Sequence, residues 1–365
     1  MTQRTIVLTT GGTGGHVFPA QSVATELLKR GHTVIFITDN RGNAFQNMPE
    51  VKTYHLMAES VTGRSFVGKL IAAFKLWLGS AQAMLLLHKL KPDLVVGFGG
   101  YASIPTVISA ELLRIPVVLH EQNAILGRAN RFVAKNAKMV ATSFPSVQRI
   151  PSNTPSVHVG QPVRPAILEK DNTPLPQTEY FNLLIFGGSQ GARFFSRQLP
   201  IALMKLPPEI RAKIVLTQQA RPEDDADLRA TYADANFHQM TIQPFFNNMP
   251  DLLANANLVI GRGGAGTLTE VMVVGRPAII VPLPTAADNH QYANATVLEK
   301  AEGAWVVQEK DFDADQFATQ LSNLIQKPEV LQNAAQKAHS LAIVNAAVRM
   351  ADLIEDLIKG NTHDV

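Results

Sequence analysis

Short apolar runs alternate along the chain with glycine-rich loops and with segments of helical periodicity. The run Ile6–Thr10 precedes the loop GGTGGH at 11–16, a helical pattern follows over about 19–30, and a second apolar run occupies 33–38. Apolar runs this short, without polar alternation, are typical of strands that are buried on both faces of a parallel sheet. The pattern therefore predicts a βαβ unit at the start of the chain.

The same order of elements returns after a proline-rich junction at 160–165 and a polar loop. An apolar run at 182–186 precedes the loop GGSQGAR at 187–193, and a helical pattern continues to about Met204. We therefore predict an α/β protein with two doubly wound Rossmann-like domains facing a cleft. The first domain is expected to cover 1–164 and the second 165–365, with a C-terminal helix that can pack back on the first domain.

The stretch 258–294 is the most informative about chemistry. A strand at 258–260 leads into a loop with three glycines and then into a helix, so backbone N–H groups and a helix N-terminus are available to a phosphate. Glu270 lies one turn inside that helix, where a carboxylate can accept hydrogen bonds from a ribose diol. A polar segment follows the next strand, at 288–294. Together these features predict a site for a nucleotide sugar.

Polar loops also follow three predicted strands of the first half, at 11–16, 97–101 and 120–123. Open parallel sheets bind ligands at the carboxyl ends of their strands, so these loops are candidates for a second binding surface. A strand-end hydrogen-bonded pair is the structural alternative for His120 and Glu121.

A dinucleotide site is a second interpretation of the first loop. Asp39 ends the second predicted strand, where an acid that binds the NAD ribose would stand. The glycine spacing fits poorly, because Val17 occupies the third glycine position of that fingerprint.

A metal site is the alternative interpretation of the segment 311–315, which has Asp-x-Asp spacing. The segment also precedes a helical pattern, and Asp313 as its N-cap explains the spacing. We therefore predict no metal and no cofactor.

Composition and charge limit the compartment and the partners that we expect for the protein. The chain has no cysteine, which excludes disulfides and fits a reducing compartment, and it opens directly into a predicted strand without a visible signal peptide. Residues 1–164 carry 17 Lys and Arg against 7 Asp and Glu, a net +10, whereas the remainder carries 16 against 23, a net −7. A basic half suggests an anionic surface as partner. No nucleic-acid motif accompanies the charge, so a membrane surface is favoured and nucleic acid is not expected.

The longest strongly apolar stretch, 76–87, is too short to span a bilayer. The segment 64–78 instead combines apolar and basic residues in a way that suits insertion to headgroup depth, together with Lys135 and Lys138. Core packing is the alternative role of its apolar side chains. The membrane-contacting candidates are Phe66, Lys69, Ile71, Phe74 and Trp77.

Six sequence blocks together resemble the MurG family, whose members are UDP-N-acetylglucosamine–N-acetylmuramyl-(pentapeptide) pyrophosphoryl-undecaprenol N-acetylglucosamine transferases of peptidoglycan synthesis. The resemblance implies a GT-B fold and inverting transfer of GlcNAc from UDP-GlcNAc to the C4 hydroxyl of MurNAc in lipid I. It also implies a peripheral enzyme on the cytoplasmic face of the cell membrane. The blocks are GGTGGHVFPA (11–20), HEQN (120–123), GQPVR (160–164), GGSQGAR (187–193), GRGGAGTLTE (261–270) and DNHQYANA (288–295).

The resemblance also implies roles for individual residues. Tyr101 and His120 would line the acceptor side, and His16 and Glu121 would be catalytic. The residues implied in binding the donor are Thr13, Gly14, Asn123, Arg164, Ser189, Gln190, Gly191, Phe245, Phe246, Met249, Arg262, Gly264, Ala265, Gly266, Thr267, Leu268, Glu270, Gln291 and Asn294.

The reaction itself needs a general base, because the acceptor hydroxyl is a weak nucleophile. His16 is the first candidate, and a histidine that only stabilises its loop is the structural alternative. Without His16 the role would pass to Glu121 or to a water held by Tyr101. Two rival functions stay open at this point: a UDP-GlcNAc 2-epimerase of the same fold, and a noncatalytic UDP-sugar-binding partner of a membrane enzyme.

Overall fold

The computed structural model describes residues 2–11, 14–39, 48–57, 66–188 and 193–360, and for residues 66–70, 72 and 73 it describes the backbone alone. Two compact units divide the chain. The first comprises Met1–Arg164 together with Ile343–Val365, and the second comprises Pro165–Ala342. The second unit therefore ends at Ala342 and not at residue 365, since the last helix belongs to the first unit.

The first unit contains a seven-stranded sheet in which every strand pair is parallel, with the order β3-β2-β1-β4-β5-β6-β7. Val7, Val95 and Val118 lie in its central strands and are completely buried, as expected when helices cover both faces. Its strands are Thr5–Thr9 (β1), Thr33–Asp39 (β2), Lys52–Leu56 (β3), Leu94–Gly97 (β4), Val117–Glu121 (β5), Met139–Thr142 (β6) and Ser156–His158 (β7).

The second unit repeats this plan with six parallel strands in the order β10-β9-β8-β11-β12-β13. The order of the strands reverses between β8 and β11, just as it reverses between β1 and β4 in the first unit. Its strands are Phe181–Phe186 (β8), Ile214–Gln219 (β9), Gln239–Gln243 (β10), Leu258–Gly261 (β11), Ala278–Ile280 (β12) and Ala304–Val306 (β13).

The α-helices lie mainly between successive strands, so the predicted α/β class is confirmed. Among the described residues none of these helices combines the length and apolar character needed to cross a bilayer. The helices are Gly14–Lys29 (α1), Phe66–Leu90 (α2), Ile104–Leu112 (α3), Arg128–Val133 (α4), Pro165–Leu168 (α5), Arg193–Arg197 (α6), Leu199–Met204 (α7), Pro208–Arg211 (α8), Asp225–Thr231 (α9), Met249–Ala254 (α10), Ala265–Val274 (α11), His290–Lys300 (α12), Ala314–Gln326 (α13), Pro328–Ser340 (α14) and Ala346–Lys359 (α15).

Several predicted boundaries were wrong. The first helix begins at Gly14 and not near Pro19, although Pro19 is its sixth residue and cannot donate an intrahelical hydrogen bond. The strand predicted at 115–119 is β5 and ends at Glu121. The helix predicted up to Met204 is broken between α6 and α7, where Gln198 is the N-cap of α7 and Pro200 is its second residue.

A buried ionic cluster attaches α15 to the first unit. Glu355 is buried and accepts a hydrogen bond from His32 at 2.9 Å, and Arg30 lies 3.4 Å from its second oxygen. Burial raises the pKa of a carboxyl, but the hydrogen bond from His32 and the charge of Arg30 outweigh it, so the pKa of Glu355 lies below its ordinary value. Arg30 also pairs with Asp352 at 2.7 Å.

We predict that Glu355→Gln lowers the free energy of unfolding at pH 7 by about 1–3 kcal/mol, the usual contribution of hydrogen bonds to a buried charged group. A carboxyl with a lowered folded-state pKa stabilises the fold above its ordinary pKa and loses this contribution as the pH falls through the folded value. The difference between the two proteins in urea unfolding should therefore shrink below about pH 4. Asp352→Asn is the control, because that carboxylate is half exposed and should contribute less than about 1 kcal/mol.

Candidate active site

In the first unit, the loops after β1 and β4 touch at the point where the strand order reverses. The N–H of Gly11 donates to the carbonyl of Gly99 at 3.1 Å. Gly99 and Gly100 have φ angles of 83° and 78°, and a Cβ on Gly100 would lie 3.0 Å from the backbone nitrogen of Gly11. Only glycine combines a positive φ with so close an approach, so these glycines determine the shape of this edge.

His16 lies against this glycine edge, in the first turn of α1 and not on the preceding loop as predicted. Its ring is half-buried, and its Cε1 lies 3.4 Å from the position that a Cβ on Gly99 would occupy. Its Nδ1 is 3.0 Å from Oε1 of Gln122. The imidazole is therefore held by the backbone of one loop and the side chain of another.

His120 is the second-last residue of β5 and is completely buried, and its place on the acceptor side stays a prediction. Its Nε2 lies 3.2 Å from the carbonyl oxygen of Gly160. Burial lowers the pKa of His120 to about 4, in spite of that hydrogen bond, and the nearby His16 acts in the same direction. The ring is consequently neutral near pH 7. It stabilises the site from the protein interior.

Glu121 is also buried, and its carboxylate is fully engaged with loop groups. Oε1 accepts from the backbone and side-chain nitrogens of Asn123 at 2.9 and 3.1 Å. Oε2 accepts from the backbone N–H of Gly127 and from Nδ2 of Asn130, both at 2.9 Å. A carboxylate with four N–H donors holds the 122–130 loop in place. The catalytic role of Glu121 stays a prediction.

Three other candidates of the first unit lie partly exposed to solvent. Tyr101 and Asn123 are half-buried at the ends of β4 and β5, the same sheet edge as His16. Arg164 is half-buried, and its guanidinium lies over the ring of Phe18 at 4.9 Å from the centroid. Thr13 lies outside the described residues, and Gly14 begins α1.

In the second unit, the loop after β11 is fixed against α12. A Cβ on Gly263 would lie 2.3 Å from the carbonyl oxygen of Gln291, so the two backbones are in direct contact. Asn294 is completely buried and donates from Nδ2 to the carbonyl of Gly263 at 3.0 Å. Asn294 therefore supports the loop, and its contact with the sugar stays a prediction.

Helix α11 begins immediately after this loop, with Gly264 as its N-cap. Gly264, Gly266 and Thr267 are half-buried, and the first N–H groups of a helix carry partial positive charge without intrahelical partners. Ala265 opens the helix with its side chain buried. Leu268 is different, because its side chain is buried and its N–H donates to the carbonyl of Gly264 at 3.0 Å; its contact with the donor stays a prediction.

Arg262 is buried and its guanidinium is already paired. One nitrogen donates to the carbonyl of Val281 at 3.0 Å and the other lies 2.6 Å from Glu309, while the group packs over the ring of Phe195. The contact of Arg262 with a diphosphate stays a prediction. The side chain instead connects the β11 loop to the end of β12.

The other donor-site candidates present accessible groups. Glu270 is half-buried in the second turn of α11. Gln291 accepts from the N–H of Leu283 at 2.9 Å through Oε1, which directs its amide NH₂ group to the other side. Phe245 is 60% exposed, whereas Phe246 is buried and leaves only its backbone for contact. Met249 begins α10 and is half-buried. Ser189, Gln190 and Gly191 lie outside the described residues.

The segment 311–315 behaves as the predicted cap. Oδ1 of Asp313 accepts from the N–H groups of Asp315 and Gln316 at 3.0 and 2.9 Å, at the start of α13. Within the described part of the chain, no group of three or more His, Asp or Glu side chains is arranged to hold a metal ion.

Helix α2 exposes large apolar side chains. Ile71, Phe74 and Trp77 are 49%, 59% and 64% exposed, and the rings of Phe74 and Trp77 stack with centroids 6.1 Å apart. The side chains of Phe66 and Lys69 lie outside the described residues.

Two features, one of the candidate site and one of the α2 surface, were not predicted from the sequence. Gln122 lies inside the HEQN block, yet no role was predicted for it although it contacts His16. Leu85 of α2 is 75% exposed. It lies one to two turns beyond the predicted membrane segment, and this position could have indicated that it belongs to the same apolar surface.

Models of two protein domains match this chain. The model of the glycosyltransferase family 28 N-terminal domain matches residues 6–142, and that of the glycosyltransferase family 28 C-terminal domain matches residues 182–357. The two parallel-sheet units, each with a glycine loop at its strand reversal, thus define a glycosyltransferase of the GT-B class.

Individual relatives extend this likeness over nearly the full length. A protein of Rhodospirillum rubrum, named UDP-N-acetylglucosamine--N-acetylmuramyl-(pentapeptide) pyrophosphoryl-undecaprenol N-acetylglucosamine transferase, is 46% identical over 96% of this chain and 91% of its own length. The crystal structure of Acinetobacter baumannii MurG is 32% identical, with a TM-score of 0.80 over 97% of this chain and 99% of that one. The chain belongs to glycosyltransferase family 28 and, within it, to the MurG family of N-acetylglucosamine transferases.

A more distant structure shares the fold alone. The UDP-GlcNAc 2-epimerase of Neisseria meningitidis, bound to UDP-GlcNAc, has a TM-score of 0.69 over 97% of this chain and 100% of that one, but only 15% identity.

We predict that Gly263→Ala destabilises the second unit by about 1–3 kcal/mol, since the new methyl group would meet the backbone of Gln291, which cannot rotate away. Gly264→Ala is the matched control, because the nearest atom to its Cβ would be 3.9 Å away and alanine at this N-cap should cost less than about 1 kcal/mol. Denaturant unfolding of both variants tests the contact, and equal stabilities would show that the loop after β11 and α12 are not in contact.

Proposed function

We propose that this chain transfers GlcNAc from UDP-GlcNAc to the C4 hydroxyl of MurNAc in lipid I, with inversion at the anomeric carbon, and releases lipid II and UDP. The likeness to named transferases over nearly the whole chain carries this proposal. The described geometry supports it, because one unit offers a half-buried imidazole and the other a helix N-terminus beside a carboxylate.

The donor would bind at the β11 loop and the start of α11. The N–H groups at 265–267 and the dipole of α11 would hold the diphosphate and stabilise the negative charge that develops on the departing UDP. Glu270 would accept hydrogen bonds from the ribose hydroxyls, and the exposed ring of Phe245 would flank the uracil. The amide NH₂ of Gln291 would donate to a hydroxyl of the sugar.

The acceptor would bind in the first unit beside His16. As the C4 oxygen forms its bond to the anomeric carbon, the bond from that carbon to the diphosphate oxygen breaks on the opposite face. The C4 hydroxyl proton passes to the imidazole of His16, which acts as the general base. Tyr101 and Asn123, at the same sheet edge, would orient the acceptor.

Incubation with radiolabelled UDP-GlcNAc and a short-chain lipid I analogue tests this function. We expect the label in a lipid-linked disaccharide, with one UDP released per transfer, both in Mg²⁺ and in EDTA. Conversion of UDP-GlcNAc to an epimer without disaccharide would establish the 2-epimerase instead, and binding of UDP-GlcNAc without any turnover would establish a noncatalytic partner.

We predict that Glu270→Ala weakens UDP binding by about 1.5–3 kcal/mol, the usual contribution of hydrogen bonds to a charged group. Isothermal titration calorimetry with UDP measures the change. Glu299→Ala is a suitable control, since Glu299 is an exposed carboxylate of the same unit on α12. If the affinity of Glu270→Ala equals that of the control, Glu270 does not touch the nucleotide.

We further propose that the first unit binds to the anionic cytoplasmic surface of the cell membrane through α2. The acceptor is anchored in that membrane by its polyprenyl chain, so the enzyme must work at the surface. Exposed Phe74 and Trp77 suit insertion to headgroup depth, and exposed Lys135 and Lys138 add attraction to anionic lipids of about 1 kcal/mol each.

We predict that replacing both Phe74 and Trp77 by Ser abolishes flotation with phosphatidylglycerol-containing liposomes. The melting temperature and the affinity for UDP should stay unchanged, because both side chains are exposed. The control exchanges two exposed apolar residues of the second unit, Ile201 and Val330, for Ser and should float normally. Flotation of the Phe74/Trp77 variant would remove α2 as the anchor.

A further inference from the structure

We propose that Gln122 is a positioning residue that fixes the tautomer of His16, placing the proton on Nδ1 and the lone pair on Nε2. The proposal rests on the proposed function, in which His16 is the general base. It identifies the nitrogen that accepts the proton of the acceptor hydroxyl.

The orientation of the Gln122 amide follows from a backbone group. Its Nε2 lies 2.8 Å from the carbonyl oxygen of Phe98, and a carbonyl can only accept a hydrogen bond. The amide nitrogen therefore faces Phe98, and Oε1 is left to face His16. Gln122 is only 3% exposed, so a reversed amide would leave buried polar groups facing like partners.

The tautomer of His16 follows from that orientation. Oε1 of Gln122 is an acceptor and lies 3.0 Å from Nδ1 of His16, so Nδ1 must be the donor. In the neutral ring the other nitrogen, Nε2, then carries the lone pair. The opposite tautomer would bring two lone pairs together at hydrogen-bond distance.

The second hydrogen of the Gln122 amide makes the arrangement self-consistent. Nε2 of Gln122 also lies 3.2 Å from Nδ1 of His120, which therefore accepts, and the proton of His120 is on Nε2, directed at the carbonyl of Gly160. Burial keeps His120 neutral near pH 7, so this end of the network does not change its charge when His16 titrates.

The backbone groups at both ends of the network are held in place. Phe98 follows β4 and is completely buried, and Gly160 has a φ of 84° and no room for a side chain, since a Cβ there would lie 2.6 Å from Ile343. An anchored network of this kind fixes the ring as well as its proton. When His16 becomes protonated during transfer, Nδ1 continues to donate to Gln122, which stabilises the cation.

The tautomer can be read directly from the ¹⁵N shifts of the imidazole nitrogens in the full chain labelled at histidine, with His16→Ala to assign the signal. We expect the neutral ring of the parent to carry its proton on Nδ1. Gln122→Met removes the acceptor and should lower kcat about 10- to 100-fold, a part of what a general base contributes, without changing KM for UDP-GlcNAc. The preference for Nδ1–H should disappear in the same variant.

Two further variants separate positioning from mere support of the fold. Gln122→Glu places a negative charge beside His16, so it should raise the pKa of the ring and move the acidic limb of the kcat–pH profile to higher pH. Gln218→Met is the control, because it removes a buried glutamine from the second unit and should leave the His16 signal unchanged.

A parent His16 with its proton on Nε2 would overturn the proposal, even if Gln122→Met fails to fold. Retention of both the tautomer and kcat in Gln122→Met would overturn it as well. The spectrum does not depend on turnover, so a parent that shows Nδ1–H but forms no disaccharide would contradict the proposed function and not the position of the proton.

Discussion

Direct contact between backbones, which only glycine permits, is the constraint on which the candidate residues of each unit depend. In the first unit Gly100 touches Gly11, and in the second Gly263 touches Gln291. Both contacts lie at the carboxyl edge of a parallel sheet. The first lies where the strand order reverses between β1 and β4, and the second joins the loop after β11 to α12. These contacts hold the backbone in place, and so the adjacent helices α1 and α11 present their first turns at a defined position.

Buried polar side chains form the second layer of this arrangement. Glu121 and Asn294 hydrogen-bond to neighbouring loops, and Arg262, within the loop after β11, donates to the carbonyl of Val281. Burial of a polar group is costly unless it is paired, so such a residue fixes the geometry of the groups it binds. Gln122 belongs to the same layer, but its partner is the side chain of His16. By orienting that side chain it would affect the proton transfer that His16 is proposed to perform.

The sequence predicted the architecture well, for physical reasons that can be named. Fully apolar strand runs and glycine loops are local signals, so both sheets and the start of the 258–280 unit could be located. The cap at Asp313 was predicted because a carboxylate before a helical pattern has a specific local use. The return of α15 to the first unit was left open, since its attachment through Glu355 and His32 joins residues far apart in the chain.

The direction in which polar side chains point could not be predicted from the sequence. His120 and Glu121 were expected on the ligand side, but β5 continues through both of them and buries them. Arg262 lies in a loop, and Leu268 and Asn294 lie in helices. At such positions a small rotation of the backbone segment decides whether a side chain faces a ligand or the core. Residue type predicted that a polar site exists at these edges, whereas packing decides which side chains reach it.

Single-turnover kinetics of His16→Ala test whether His16 removes the acceptor proton while the second unit binds the nucleotide. With radiolabelled UDP-GlcNAc and the lipid I analogue, we expect a rate of transfer about 10²–10⁴-fold below that of the parent, the contribution of a general base. The affinity for UDP should remain that of the parent, because no donor contact has been removed. A transfer rate within a few-fold of the parent, or a parallel loss of UDP affinity, would contradict the account.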